Sequence, residues 1–154
     1  MSNVQCPMSM LYSDIILTHN NAPFHFEKKT DAPIILEAYN PMCGDKFKIY
    51  LWLENEFISE IYFHGYGCAV SKAATSVLLK KILEKNISEA KKIIKNYFFL
   101  LENDFEKNIL NDKNIFSDEE ISAFNAVKKF PERKTCAVLS WEAVNNFLAS
   151  TYNP

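Results

Sequence analysis

The stretch Phe47-Lys48-Ile49-Tyr50-Leu51-Trp52-Leu53, followed after Glu54-Asn55-Glu56 by Phe57-Ile58-Ser59-Glu60-Ile61-Tyr62-Phe63, decides the fold. Both segments alternate with period two and are rich in β-branched and aromatic residues. Each therefore predicts a strand with one face towards a core. The polar link between them predicts a hairpin turn. A further strand is expected just upstream, at Ile34-Ile35-Leu36-Glu37-Ala38-Tyr39 after Pro33. Three consecutive strands with short connections make an antiparallel sheet.

Downstream of Cys68 the period changes. Residues 69–85 place Val70, Ala73, Ala74, Val77, Leu78 and Ile82 on one broad helical face. Ser88-Glu89-Ala90 opens a second helix, with Glu89 placed to offset the first-turn dipole. Ser117-Asp118-Glu119-Glu120 opens a third with capping-box spacing. A last helix is expected from Arg133 or Thr135 to Phe147, with Val138, Leu139, Trp141 and Val144 turned to the core and Cys136 in its first turn. Upstream, residues 8–19 put Met8, Leu11, Tyr12 and Ile15 on one helical face, and Asn20, Asn21 and Pro23 end that helix. Residues 22–31 read as loop. The fold class is α+β: a small antiparallel three-stranded sheet packed against several helices. No repeat or low-complexity linker divides the chain, so residues 1–154 are expected to form a single domain.

An apolar fraction of 48% over 154 residues supports a folded core without disulfide staples. Charge is nearly balanced, 17 Lys+Arg against 19 Asp+Glu, so no basic excess points to nucleic acid and no basic stripe to a membrane surface. The longest apolar run, Tyr97-Phe98-Phe99-Leu100-Leu101, is far too short to cross a bilayer. Residues 1–20 lack a basic start, and Asp14 interrupts any apolar stretch there, so no secretory signal is expected. A cytoplasmic location follows as an expectation, and with it thiols that serve metals or catalysis.

Three of the four cysteines sit in chemically distinctive settings. Asn40-Pro41-Met42-Cys43-Gly44-Asp45 sets a carboxylate two residues from a thiol, with Gly44 supplying backbone freedom between them. It reads either as a ligand loop or as a plain turn that holds a cysteine. In Gly65-Tyr66-Gly67-Cys68, two of the chain's three glycines lie where a strand meets a helix. That turn presents Cys68 at a helix N-terminus, where a thiolate is stabilised. Arg133-Lys134-Thr135-Cys136 puts two cations before a third thiol, which also favours the thiolate; taken alone, the segment reads equally as a helix that buries a cysteine. Three thiolates and one carboxylate suit a tetrahedral, thiophilic metal. The cysteines match no zinc-finger spacing, so any joint site must be assembled by the fold. Cys6, near the terminus, is incidental. His19, His25 and His64 read as satisfied or solvent-facing, and strand alternation can turn His64 away from Cys68. Asp14, Glu37 and Lys80-Lys81 read as solvated faces.

With these residues in view, the chain resembles the iron–sulfur cluster assembly family that includes IscU, SufU and the N-terminal domain of NifU. Leu11-Tyr12 with Ile15-Ile16 and His19 resembles the family's opening helix. Asn40 to Asp45 resembles its first metal loop. Phe63-His64-Gly65-Tyr66-Gly67-Cys68-Ala69-Val70-Ser71 with Ala73-Ala74-Thr75-Ser76 resembles the second, and Arg133 to Trp141 the third. The resemblance implies the SufE/NifU-like fold, with Cys43, Asp45, Cys68 and Cys136 converging on one exposed site. It also implies a cysteine desulfurase of SufS, IscS or NifS type as partner, and iron–sulfur apo-proteins or carriers as recipients. Thr135 stands where IscU-type scaffolds carry histidine, and the interval before Cys136 is longer, with the extra segment at about residues 95–120. Both features resemble the SufU branch, which binds zinc and accepts persulfide sulfur.

The function so implied is sulfur acceptance from a desulfurase at a Zn²⁺ site of Cys43, Asp45, Cys68 and Cys136. Cys43 is the implied acceptor and Cys136 the other candidate. The alternatives are a scaffold building a [2Fe–2S] cluster on the same four residues, and a non-catalytic zinc-stabilised interaction module.

Overall fold

The computed structural model describes residues 13–102 and 118–151. Its sheet has the order β1-β2-β3, with β1 at Ile34–Asn40, β2 at Asp45–Glu54 and β3 at Phe57–Tyr66. Both pairings are antiparallel, as the alternation requires. Phe47, Ile49 and Leu51 of β2 and Ile58, Ile61 and Phe63 of β3 point inward and are buried. Asn55 and Glu56 both take positive φ, 51° and 63°, so the β2–β3 hairpin closes on a two-residue turn whose twist matches the strands. A register shift at Trp52/Leu53 accommodates the turn.

Five α-helices and one 3₁₀ segment cover the inner face of the sheet among the described residues. They are α1 (Asp14–Asn21), α2 (Ala69–Ile82), α3 (Ile87–Glu102), α4 (Glu119–Ser122), the 3₁₀ segment Ala123–Lys129, and α5 (Pro131–Thr151). Helix α2 is buried along most of its length because α1, α3 and α5 all pack on it. Helix α5 also crosses β1. Trp141 stacks on Tyr97 with ring centroids 3.6 Å apart, and its Nε1–H donates to Ala74 O at 2.9 Å. The Tyr97 hydroxyl donates to Ala137 O at 2.7 Å. These bonds, with the 2.6 Å contact of Thr75 and Ser140 hydroxyls, lock α5 against α2 and α3 and so fix the position of Cys136.

Three expectations change. Helix α5 starts at Pro131, not at Arg133 or Thr135, because proline lacks the N–H that a first helical residue leaves unpaired. Cys136 consequently lies in the second turn. On α1, Ile16 is buried and Ile15 only half-buried, while Met8, Leu11 and Tyr12 lie outside the described residues. The third predicted helix is a single turn capped by Asp118, whose Oδ1 accepts from Glu120 N and Ile121 N. Of the 95–120 segment, residues 95–102 continue α3 and residues 103–117 lie outside the described residues.

Candidate metal centre

Cys43 sits at the tip of the β1–β2 connection. Asn40 pairs with Asp45 across the two strands, and Gly44 N–H donates back to Asn40 O at 2.8 Å. Gly44 has φ +78°, a conformation that glycine adopts without steric cost. The short loop therefore turns Cys43 back over the first residue of β2. Cys43 is exposed, and its Sγ donates to Asp45 Oδ2 at 3.0 Å. Asp45 is 1% exposed, a burial that a carboxylate tolerates only with partners. Its Oδ1 accepts the Cys68 backbone N–H at 2.9 Å.

Cys68 caps helix α2, as expected. Its sulfur accepts from Ser71 N at 3.5 Å and lies 3.9 Å from Asp45 Oδ2. Gly67 makes this approach possible, since a Cβ there would meet Ser71 Oγ, Phe47 Cζ and Asp45 Oδ1 at 2.6–2.9 Å. Cys136 reaches the same place from α5. Its Sγ lies 3.7 Å from Cys43 Sγ, close to the edge of about 3.8 Å that two thiolates span on a tetrahedral zinc.

The ligand atoms of Cys43, Asp45 and Cys136 all lie within 4.8 Å of one another. Cys68 stands at the margin of this group, its sulfur turned towards the α2 N-terminus. The donor chemistry fits zinc: three thiols and one carboxylate, with sulfur at two tetrahedral corners already at the required spacing. It also suits a thiolate-held iron–sulfur cluster.

Electrostatics at Cys136 differ from expectation. Burial pushes its thiol well above the usual range, and Cys68 and then Asp45 push in the same direction. The helix N-terminus does not offset this, because its exposed N–H groups lie a turn earlier.

None of the three histidines described joins the donors. His64 stacks beside Phe26 with centroids 4.6 Å apart. His25 lies between Phe24 and Tyr62 and bonds Ile61 O through Nδ1 at 2.9 Å. His19 is buried; its Nε2–H donates to Glu120 Oε2 at 2.6 Å, and its Nδ1 lies 2.7 Å from Ser76 Oγ. Asp14 and Glu37 are exposed, but Lys80 and Lys81 are not simply solvated. Both ammoniums bind Glu120 at 2.8 Å, and Lys81 also binds Asp118 at 3.0 Å. Cys6 lies outside the described residues. Sequence reasoning missed Ser71, which follows Cys68 at the three-residue spacing of a capping interaction. The capping-box reading of Glu120 missed its partners His19, Lys80 and Lys81, which no local pattern supplies.

The NifU-like N-terminal domain model matches residues 11–137. The IscU scaffold protein of Thermotoga maritima is 28% identical, over 94% of this chain and 97% of that protein. The zinc-dependent sulfurtransferase SufU of Bacillus subtilis is 29% identical, over 92% of each chain. The crystal structure of the SufU of Fervidobacterium islandicum superposes with a TM-score of 0.76 at 29% identity, covering 91% of this chain and 98% of that one. A NifU-like N-terminal domain from Brucella abortus gives the same TM-score at 16% identity, a likeness of fold. With the first and third motif segments folded onto one donor cluster and the second beside it, this chain belongs to the NifU-like N-terminal domain family of iron–sulfur cluster assembly scaffolds.

Proposed function

We propose that this protein, acting as one cytoplasmic domain, accepts persulfide sulfur from a cysteine desulfurase at a zinc site formed by Cys43, Asp45, Cys68 and Cys136. The observation that carries the reading is the convergence of the Cys43, Asp45 and Cys136 ligand atoms within 4.8 Å of one another with one exposed thiol among them. Zinc bound there would hold the thiols deprotonated at neutral pH. Cys68, whose sulfur lies 3.9 Å from Asp45 Oδ2, is the thiol that would complete the set.

The chain's own residues divide the work. Cys43 is the exposed thiol and rides on a glycine-containing loop, so it is the group able to meet a partner. Its thiolate attacks the outer sulfur of the desulfurase persulfide. A new S–S bond forms at Cys43, the partner's S–S bond breaks, and the partner's cysteine leaves as thiolate. Sulfur moves as a neutral atom, so no external oxidant or reductant is needed. Asp45 Oδ2, 3.0 Å from Cys43 Sγ, would share the metal with that thiolate. Asp45 Oδ1 stays on the Cys68 N–H and keeps the carboxylate aimed during the exchange. Cys136, buried and held by α5, is the less accessible acceptor. Recipient apo-proteins or carriers then take the sulfur onward.

A second reading, a scaffold that builds a [2Fe–2S] cluster on the same residues, is supported by the similarity to proteins named IscU scaffolds. The test uses the purified protein, its Cys43→Ser variant, a cysteine desulfurase and free cysteine. Persulfide is read by mass and alanine by turnover, alongside metal content and the visible spectrum. Zinc at one per chain, with persulfide on the wild type and none on Cys43→Ser, is expected. Wild-type sulfur acceptance by Cys43→Ser would transfer the role to Cys136. A cluster spectrum without persulfide would establish the scaffold reading. Zinc without any effect on the desulfurase would leave an interaction module.

A further inference from the structure

The outer face of the sheet carries a feature unrelated to the thiols. A groove of about 350 Å³ is lined by Lys28, Lys46, Lys48, His64, Tyr50 and Tyr66, with no carboxylate in its walls. The strand registers explain it. Lys46 sits between Tyr39 and Tyr66 across the sheet, and Lys48 between Glu37 and His64. Alternation then places Lys46, Lys48 and Tyr50 on one face. Lys46 lies over the Tyr39 ring at 5.7 Å. Among the described residues none of Lys28, Lys46 and Lys48 forms an ion pair, and Glu37 does not reach Lys48. Tyr50 forms a buried floor, and Tyr66, 65% exposed, stands as a wall.

We propose that this groove docks an extended acidic peptide segment of a partner protein. Charge complementarity carries the assignment: three unpaired ammoniums face an opening that holds no negative charge. Spacing also suits an extended peptide. Lys46 and Lys48 are two residues apart on one strand, about 7 Å along it, which is also the repeat of alternate side chains in an extended peptide. Carboxylates at alternate positions can therefore meet both ammoniums without the two lysines converging. The aromatic walls cover the stems of such side chains. The groove adjoins the metal loops through Asp45–Lys46 and Gly65–Cys68, so a partner held there lies beside the exposed Cys43. The proposal does not depend on sulfur transfer.

The test is fluorescence anisotropy with a labelled alternating glutamate–glycine hexapeptide and its glutamine counterpart. The full-length protein is compared with Lys46→Glu/Lys48→Glu, with Lys28→Glu, and with Lys92→Glu on α3 as a remote control. Circular dichroism establishes that each variant is folded; Lys28→Glu, in a loop, tests the groove should the strand variant fail to fold. Binding of the glutamate peptide in the millimolar range or tighter is expected, falling with salt. At least tenfold weakening in the groove variants, no change in Lys92→Glu and no binding of the glutamine peptide are also expected. Absence of binding, or equal weakening in Lys92→Glu, overturns the proposal. So does displacement of the peptide by sub-millimolar inorganic phosphate, which would make this a small-anion site.

Discussion

Replacing Glu120 with Gln should cost stability at neutral pH and almost none in acid, because one carboxylate joins three elements. It receives His19 Nε2–H from α1 at 2.6 Å and the ammoniums of Lys80 and Lys81 from α2, each at 2.8 Å. Burial alone would push its pKa up. The contacts with Lys80, Lys81 and His19 outweigh burial and hold it at about 2 rather than 4.5. A displacement of that size corresponds to about 3 kcal/mol in favour of the ionised form. Lys80 is nearly half exposed and its share is screened by solvent, so a loss of about 2 kcal/mol is expected for Glu120→Gln. In a chain of this length that is a fall in Tm of about 4–8 °C. The sign follows from the lowered pKa. The carboxylate's contribution is complete above pH 4.5, the unfolded value, and is lost as pH falls towards 2, with more than half gone by about pH 3. Urea unfolding of both proteins at pH 7, 5 and 3 measures it, using metal-free samples because metal binding has its own pH dependence. A deficit as large at pH 3 as at pH 7, or none at pH 7, would refute the reasoning. Zinc content at pH 7 should not change, since Glu120 is not among the clustered donors.

Gly67→Ala should weaken zinc binding about tenfold and cost about 1–3 kcal/mol of stability, because its Cβ would meet Ser71 Oγ, Phe47 Cζ and Asp45 Oδ1; competition with a chromophoric chelator reads the affinity, and an unchanged value contradicts the packing argument. Asp45→Ala should keep zinc on the thiolates but exchange it faster and transfer sulfur poorly, with about 1–3 kcal/mol lost from the unpaired Cys68 N–H; complete unfolding in the presence of metal would instead make the site purely structural. Tyr97→Phe should lower stability by about 1 kcal/mol by removing the hydroxyl that joins α3 to Ala137 O of α5, and a thermal scan that finds no change would remove this bond from the account of how α5 is held. Cys6→Ser should accept sulfur at the wild-type rate, because no charged residue or glycine turn flanks Cys6 in the sequence Val4-Gln5-Cys6-Pro7; loss of persulfide in that variant would reopen the choice of acceptor.

The sheet was legible because its information is local. Period-two alternation in 47–63 needs only neighbouring residues to read, and the hairpin turn lies in the same stretch. The cap at Cys68 was equally accessible, since the strand, two glycines and helical periodicity meet at one point. The start of helix α5 was less legible, because Pro131 and not the cations before Cys136 opens the helix. The difference has an electrostatic consequence. Cys136 loses the expected help of the helix terminus, and burial governs its thiol instead.

Asp45 marks the limit of what sequence could supply for the site. Its nearness to Cys43 is written in the chain, but its burial and its bond to the Cys68 N–H join β2 to the start of α2 across the sheet. Such a contact depends on register, and one residue of slip would carry Asp45 to the other face. The same holds for His19 and Glu120, 101 residues apart, which satisfy one another only after α1 and α4 dock on α2. Both carboxylates serve as hubs, for opposite ends. Glu120 is neutralised by two ammoniums and stays within the scaffold as a clamp. Asp45 has no cation among the described residues and faces thiols. A buried carboxylate without a cationic partner is costly, and a divalent metal at the Cys43–Cys136 cluster is the partner that would relieve it.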